Sequence, residues 1–466
     1  MRDITDNPSI EADVVIVGAG FAGITAAREI SRAGKTVAVL EARSRIGGRS
    51  LSHPIGDGKI VEFGCEHIGR RGAVADEMAD AVGISSYKQY DRGYKLTDQH
   101  DKLVRWKGQI PRANPITLAD YFQAAMRLER MRREVPEETP WDAPHARRWD
   151  SETLSSWMRR NMLTRGGRTL MSLLTEAGFA APATEISLLH ILNYSNGLGG
   201  YRAVTKVTGG SLERRLVGGS QGLVHRLAEN IEEQIFLGAV VRRIEQFRDR
   251  VRLTGPGFDA VGRRVVITVP VPLAARIEYL PALPGYRDQL TQRLPAGSVI
   301  KYLSVYDEPF WRKEELSGTA LSHVGPVQAV MDGSPPDGSP GVLTAFVTGP
   351  NARKLARLPG AARRDAVVGA LTRIFGPRAG RPFELFEKDW MAEEYTRGCY
   401  HGCTPPGLLT EYGAALRNPI GRIHWAGSET VPIEYGSMSG AIDSGRRVAT
   451  EILDLEAYSQ MNGRTV

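Results

Sequence analysis

The run Asp13–Val17 (DVVIV) leads straight into GAGFAG, and no other feature constrains the fold as strongly. A short stretch of β-branched apolar residues reads as a strand buried on both faces, as in a parallel sheet. ITAAREISRAG follows with helical periodicity and closes at Gly34, and TVAVLEA then supplies a second apolar strand. A strand, a helix and a second strand within about 30 residues require a right-handed parallel crossover. In the turn, Gly18 permits the tight bend and Gly20 lets backbone approach a pyrophosphate, with Ala19 between them. Gly23 allows the helix to pack closely on the strand. Glu41 ends the second strand, 41 − 23 = 18 residues past the last glycine, where a carboxylate accepts ribose hydroxyls. The unit predicts dinucleotide binding.

Elsewhere the pattern changes. Residues 90–215 carry long helical patterns such as LADYFQAAMRLERM and LSSWMRRNM, broken by Pro and Gly. Strand character returns over 236–270, in FLGAVVRRIEQF, DRVRLTG and VGRRVVITVP, and again at Val299–Tyr306 and VLTAFVT. ARRDAVVGALTRIFG reads as an amphipathic helix closed by Gly376, and RIHWAGSET with GAIDSGRRVATEIL is once more strand, Gly turn and helix. Nucleotide-binding patterns at both ends predict a discontinuous cofactor domain, with the intervening segments building a second domain and the active site between them.

Composition excludes several classes. Among 466 residues, 42% are hydrophobic and 24% charged, which suits a full core and argues against disorder. Three cysteines make no disulfide framework and suit a reducing compartment. Cys399 and Cys403 lie four apart with no second pair, so the spacing offers no zinc site. The start MRDITDNPSIEAD lacks a signal-peptide pattern, and no apolar run is long enough to span a membrane, so a soluble cytoplasmic protein is expected. The net charge of +7 is dispersed, and its densest cluster, Arg127–Glu138, alternates in sign, so nucleic-acid binding is not expected.

EARSRIGGRS, with Gly47, Gly48 and Arg49 soon after Glu41, resembles the second dinucleotide signature of glutathione-reductase-like flavoproteins. GRIHWAGSET followed by GSMSGAIDSGRR resembles the flavin-closing segment of the same group, which selects FAD over NAD. The whole chain is similar to the flavin-containing amine oxidases, specifically the monoamine oxidases. The likeness runs through WDAPHARRWDSETLSSW, GGSLERRLVGGSQGL, LPAGSVIKYLSVYDEPFWRK, NARKLARL and EEYTRGCYHGCTPPGLLTEYG. The resemblance implies an α/β fold with a Rossmann-like discontinuous FAD-binding domain (residues 11–86, 217–290 and 393–456). An α+β substrate domain (residues 87–216 and 291–392) completes it. It implies oxidation of an amine to an imine, which water hydrolyses, with O₂ reduced to H₂O₂. A flavin dehydrogenase or desaturase of the same superfamily is the alternative, and an L-amino acid oxidase is disfavoured because no Arg matches a carboxylate clamp. A homodimer is expected, with a small-molecule amine and O₂ as partners.

Residue by residue, the resemblance places FAD against Gly18, Ala19, Gly20, Gly23, Glu41, Ala42, Arg43, Gly48, Arg49, Val241, Gly427, Ser428, Glu429, Ser437 and Met438. Cys399 falls where the monoamine oxidases bond FAD covalently, an attachment that needs a thiolate. Lys301 matches the lysine that holds a water near the flavin, where an ammonium stabilises developing negative charge. Trp390 matches a tryptophan beside the flavin, and Tyr400 one wall of an aromatic cage. The other wall falls on Ser437, so half the cage is missing unless Tyr435 moves in. His67 and Leu212 replace a pocket tyrosine and glutamine. Glu66 and Glu434 add acid nearby, which favours diamines or amino-sugar-like amines if either reaches the substrate, although Glu434 is expected to face solvent on a loop.

Overall fold

Strand Ser9–Val17 lies inside a nine-stranded sheet, paired in parallel with Val37–Glu41 on one side and Phe258–Ile267 on the other. Ile235–Leu237 and then Arg2–Asp3 extend the sheet beyond Val37–Glu41, also in parallel. Ile423–Trp425 joins the far side of Phe258–Ile267, so the strand–Gly–helix units from both ends of the chain share one sheet. The computed structural model describes residues 1–4, 9–70, 73–99 and 102–461.

Val14, Val15 and Ile16 are fully buried because both faces of the sheet are covered. Val14 and Ile16 pack with Ile24 of helix Phe21–Arg32 and Ile442 of helix Met438–Met461. Val15 and Val17 pack on the opposite face with Leu40, Phe258 and Trp425. This accounts for an unbroken apolar strand rather than an alternating one. At the turn Gly18 has φ +108°, and a Cβ on Gly23 would lie 2.0 Å from the Gly18 carbonyl oxygen. Only glycine permits that approach of helix to strand.

FLGAVVRRIEQF departs from the expected continuous strand. It splits into Ile235–Leu237 and Arg243–Gln246, because Gly238, at φ +74°, turns the chain out of line. Ala239 then donates its N–H to the Glu41 carbonyl, and Val241 is freed from the ladder.

A second, seven-stranded sheet is built around Val299–Tyr306, which pairs antiparallel with Gly341–Thr348 and Glu384–Asp389. Every residue of Val299–Tyr306 is buried, and helix Gly360–Phe375, closed by Gly376 at φ +83°, packs with this sheet. Helices Pro115–Arg132, Leu154–Asn161, Arg165–Phe179 and Leu188–Gly197 enclose a core that contains Trp149, Trp157 and Leu192. Asp150, fully buried, ties this helical part to the chain near Thr410. It accepts from the Ser187 hydroxyl at 2.5 Å and from the Thr410 N–H and hydroxyl at 2.8 and 2.9 Å. Among the described residues no helix is long and apolar enough to cross a membrane.

Candidate active site

A cleft of about 1260 Å³ opens at the GAGFAG turn. Gly18, Gly20, Glu41, Ala42, Arg43, Gly48, Arg49, Val241, Gly427, Ser428, Ser437 and Met438 line it, together with Tyr400. Among the described residues no side chain caps the helix that begins after Gly20, so its first N–H groups are available to an anion. Gly20 has nothing within 4 Å of where a Cβ would stand, and Gly48, at φ +59°, approaches it closely. A side chain at Gly20 would fill the space a pyrophosphate needs, so these residues fit a dinucleotide. Ala19 and Gly23 support the cleft from behind. The N–H groups of Ala19 and Arg43 donate to the Glu41 carboxylate at 2.8 and 3.0 Å, which orients it at the end of its strand.

Arginines then fix the floor. Arg43 pairs with Glu393 at 3.1 Å and donates to the Thr396 hydroxyl at 2.7 Å. Arg49 makes a two-pronged pair with Glu429 (2.7 and 2.9 Å) and also donates to Ser428 Oγ and the Tyr400 carbonyl, both at 2.8 Å. Burial works against both charges, but the pairing outweighs it: Glu429 is held down to about 2, and the Arg49 guanidinium is pushed up.

Beyond Tyr400 the chain gathers a buried charge cluster. Lys301, 3% exposed, points its Nζ to the Glu66 carboxylate at 3.3 Å and donates to the Gly64 carbonyl at 3.1 Å. It also stands 5.4 Å from the centre of the Phe346 ring, which meets the Tyr400 ring edge-on at 6.2 Å. Arg215 lies 3.6 Å from Glu66 on its other side. Burial opposes ionisation of Glu66, yet Lys301, Arg215 and His67 together hold it down to about 2. Burial lowers His67 to about 4, only partly offset by Glu66, so its ring is neutral and meets Gln89 at 3.2 Å. Trp390 donates its indole N–H to the Phe63 carbonyl at 2.9 Å, so Trp390 and Lys301 clasp neighbouring peptides of one segment.

Other expected site residues fall in different places. Cys399 is buried in an apolar cluster with Val299 and Trp390. Burial pushes its thiol well up, although the Arg49 charge pulls the other way. Ser437 accepts the Gly440 N–H at 3.0 Å, the bond of an N-cap residue, so it starts the last helix while lining the cofactor cleft. Tyr435 donates its hydroxyl to the Gly402 carbonyl at 2.9 Å and packs against His190 and His401. Leu212 is half-buried on the turn before strand Arg214–Leu216 and does not line the cleft. Glu434 does not stand free in solvent as expected. The left-handed backbone at φ +57° turns it inward, burial raises its carboxyl, and the Ser437 hydroxyl bonds it.

Sequence reasoning assigned no role to Phe346, Arg215, Glu62 or Tyr194. Burial raises the Tyr400 hydroxyl, with Cys399, Glu66 and Tyr194 adding to it, and Tyr194 stacks on His401 at 5.0 Å. Arg215 sat unread inside GGSLERRLVGG, and Glu62 inside VEFGCEHIG, because neither segment shows in sequence that it meets Lys301.

The chain matches the model of a family described as flavin containing amine oxidoreductase over residues 21–453. It is 36% identical over 445 residues to "Probable flavin-containing monoamine oxidase A" of Dictyostelium discoideum, covering 95% of this chain and 97% of that one. Wild-type putrescine oxidase bound to putrescine superposes with a TM-score of 0.92 at 30% identity, over 96% of this chain and 100% of that chain. Cyclohexylamine oxidase from Brevibacterium oxydans IH-35A superposes with a TM-score of 0.90 at 29% identity, over 96% and 99%.

Glu62 makes the site pH-sensitive. Burial pushes its carboxyl from 4.5 up to about 7, against the Ser220 N–H, the Lys301 charge and the Ser52 hydroxyl. The folded protein therefore keeps a proton that the unfolded chain releases. That stabilisation is whole below pH 4.5 and is lost as the pH rises through 7. The difference is worth about 3 kcal/mol. Glu62→Gln should match wild type in Tm at pH 5 and exceed it at pH 8 in thermal melts. A Tm difference that does not change with pH would contradict the assignment.

Proposed function

The chain belongs to the family of flavin-containing amine oxidoreductases and is an FAD-dependent amine oxidase; from that premise we propose that Lys301, Tyr400 and Phe346 frame its reacting centre. The observation that carries this reading is the buried Lys301 ammonium, held by Glu66 and the Gly64 carbonyl beside the Phe346 and Tyr400 rings. When bound, FAD supplies the two-electron oxidation of the amine C–N bond and returns those electrons to O₂. Glu41 receives the ribose hydroxyls, and the uncapped helix after Gly20 receives the pyrophosphate. Lys301, paired with Glu66, stabilises negative charge that develops near it. Trp390 holds Phe63, and so the segment on which Lys301 bears.

The substrate reading extends to Glu434. Its carboxyl is half-buried beside Tyr194 and forms an ion pair with none of the described residues, Arg70 acting on it only through its charge, so there is room for a paired cation. A diamine would supply one through its distal ammonium. The putrescine-bound relative supports that choice, and the cyclohexylamine oxidase supports room for a bulky group. Covalent attachment through Cys399 belongs to the same proposal, with Arg49 favouring the thiolate that burial opposes. The proposal includes a homodimer, to be measured by light scattering, and a cytoplasmic location, which three free thiols suit.

Lys301→Met should slow reoxidation of the reduced enzyme by O₂ far more than it slows reduction by the amine, a loss of about 2–4 kcal/mol. Stopped-flow traces with an unchanged oxidative half-reaction would refute the role. Glu434→Gln should raise KM roughly tenfold for a diamine and little for a monoamine of equal length, through loss of a charge-assisted bond. Equal changes in both would remove Glu434 from the pocket. Acid precipitation should leave the flavin in the wild-type pellet and release it from Cys399→Ser. Because burial raises the thiol, attachment to apoprotein should quicken as the pH rises. Yellow wild-type supernatant would end the covalent assignment.

A further inference from the structure

We propose that His190, His401 and Cys403 form a closed three-donor site for a soft metal cation, and that Cu(I) is the ion it fits. Their donor atoms, one from each side chain, all lie within 4.8 Å of one another, and the three residues are only 1, 1 and 2% exposed. The spacing of Cys399 and Cys403 offers no metal site in sequence, but His401 and Cys403 lie on one segment. The third donor comes from a different element, helix Leu188–Gly197.

The donors are aimed by the backbone. Residues 401–403 run antiparallel to 295–297: the Gly297 N–H donates to the His401 carbonyl, and the Cys403 N–H donates to the Pro295 carbonyl. In such a segment, side chains two apart share a face, which puts the His401 ring and the Cys403 thiol together. Cys403 Sγ is already 3.9 Å from His401 Nδ1, close to the separation of two ligands on one ion. His401 Nδ1 also lies 3.1 Å from the Gly402 carbonyl and donates its N–H there, so ligation through Nδ1 shifts that hydrogen to Nε2 and exchanges the contact for the ion.

A second observation is independent of the spacing. Among the described residues, neither ring nitrogen of His190 has a hydrogen-bond partner, and His401 Nε2 has none either. Burying such a group unpaired costs about 1–3 kcal/mol, and a bound ion would take up one nitrogen of His190. The surroundings are aromatic: Phe179 faces both histidines, Tyr435 packs on both, and Tyr194 stacks on His401. Burial keeps both imidazoles neutral, the state in which they ligate.

Charge selects the ion. Two neutral imidazoles, one thiolate and Cu(I) sum to zero, which suits an apolar enclosure. Zn²⁺ would leave one positive charge buried and ask for a fourth ligand. The carboxylates whose charges reach Cys403, Glu429 and Glu185, are already committed to Arg49 and Arg353. Soft thiolate favours Cu(I), and three donors suffice for it. Binding replaces the S–H bond of Cys403 with an S–Cu bond and releases one proton to solvent, with no change of oxidation state. The ion would join helix Leu188–Gly197 to the segment that carries Tyr400.

The test uses the FAD-loaded enzyme under anaerobic conditions, with Cu(I) delivered in competition with a chromogenic Cu(I) chelator. Wild type should retain about one copper per chain, with one sulfur and two nitrogen neighbours by X-ray absorption, and should melt at a higher temperature with copper than without. Cys403→Ser and His190→Phe should each fall below about a tenth of a copper per chain. Unchanged flavin absorbance would report that the variants are folded. If His190→Phe fails to fold, the near-isosteric Cys403→Ser carries the comparison. The proposal is overturned if wild type retains no copper, if Cys403→Ser retains as much as wild type, or if Zn²⁺ displaces Cu(I) at equal concentration.

Discussion

The Arg49–Glu429 pair is the interaction on which the cofactor cleft depends. Arg49 follows the first strand–helix–strand unit, and Glu429 precedes the last helix, 380 residues away in sequence. The guanidinium reaches Glu429, Ser428 and the Tyr400 carbonyl, while Glu429 also accepts the Gly402 N–H at 3.3 Å. One ion pair therefore sets the closing turn and the segment that presents Tyr400. Buried pairs of this kind gain little over apolar packing, but removing one partner strands the other charge at about 3–5 kcal/mol. Its role is to fix position rather than to add stability. A lysine could not replace Arg49, because an ammonium has three N–H donors and cannot make four bonds, two of them parallel to one carboxylate.

The second ion cluster decides the sign of the field beyond Tyr400. Lys301 and Arg215 bring two positive charges, Glu66 brings one negative charge, and Glu62 is half-protonated near neutrality. His67 adds none. The balance is positive by between zero and one charge, and it becomes less positive as Glu62 ionises. Such a field favours electron density arriving near Lys301 and disfavours an ammonium there. The amine must then present a neutral nitrogen at this end, which is also the form with a lone pair to give up.

How much of this was legible in the sequence follows from range. The GAGFAG unit, Glu41, Gly48 and Arg49 lie within one supersecondary element, where periodicity and turn chemistry suffice, and the resemblance carried Gly427, Ser428 and Met438 to the same cleft. The fold class followed from strand–Gly–helix patterns at both ends, which now share one sheet. The split at Gly238 was missed because β-branched residues on both sides outweigh a single glycine in a sequence pattern. The partners Glu66–Arg215, Lys301–Gly64 and Trp390–Phe63 were illegible, since they join segments more than a hundred residues apart that carry no mutual signal. Glu434 was misread because a loop carboxylate is ordinarily solvated. The left-handed turn that folds it inward depends on Gly197 packing against the backbone of 432–434.

That turn bears on how a cation approaches the positive interior. Glu434 keeps an elevated carboxyl because burial outweighs the Ser437 hydroxyl and the Arg70 charge, with Asp443 adding to burial. An ammonium placed beside it would pull the carboxyl down and be held in return, since each charged form stabilises the other. In the proposed reading, a diamine feels opposite fields along its length: an acidic group at the edge holds one end protonated, and the Lys301 cluster favours loss of the proton at the other. A monoamine has only one nitrogen to satisfy both. Selection between them then rests on electrostatics set by five side chains, and the aromatic walls need only exclude water so that those charges act at short range.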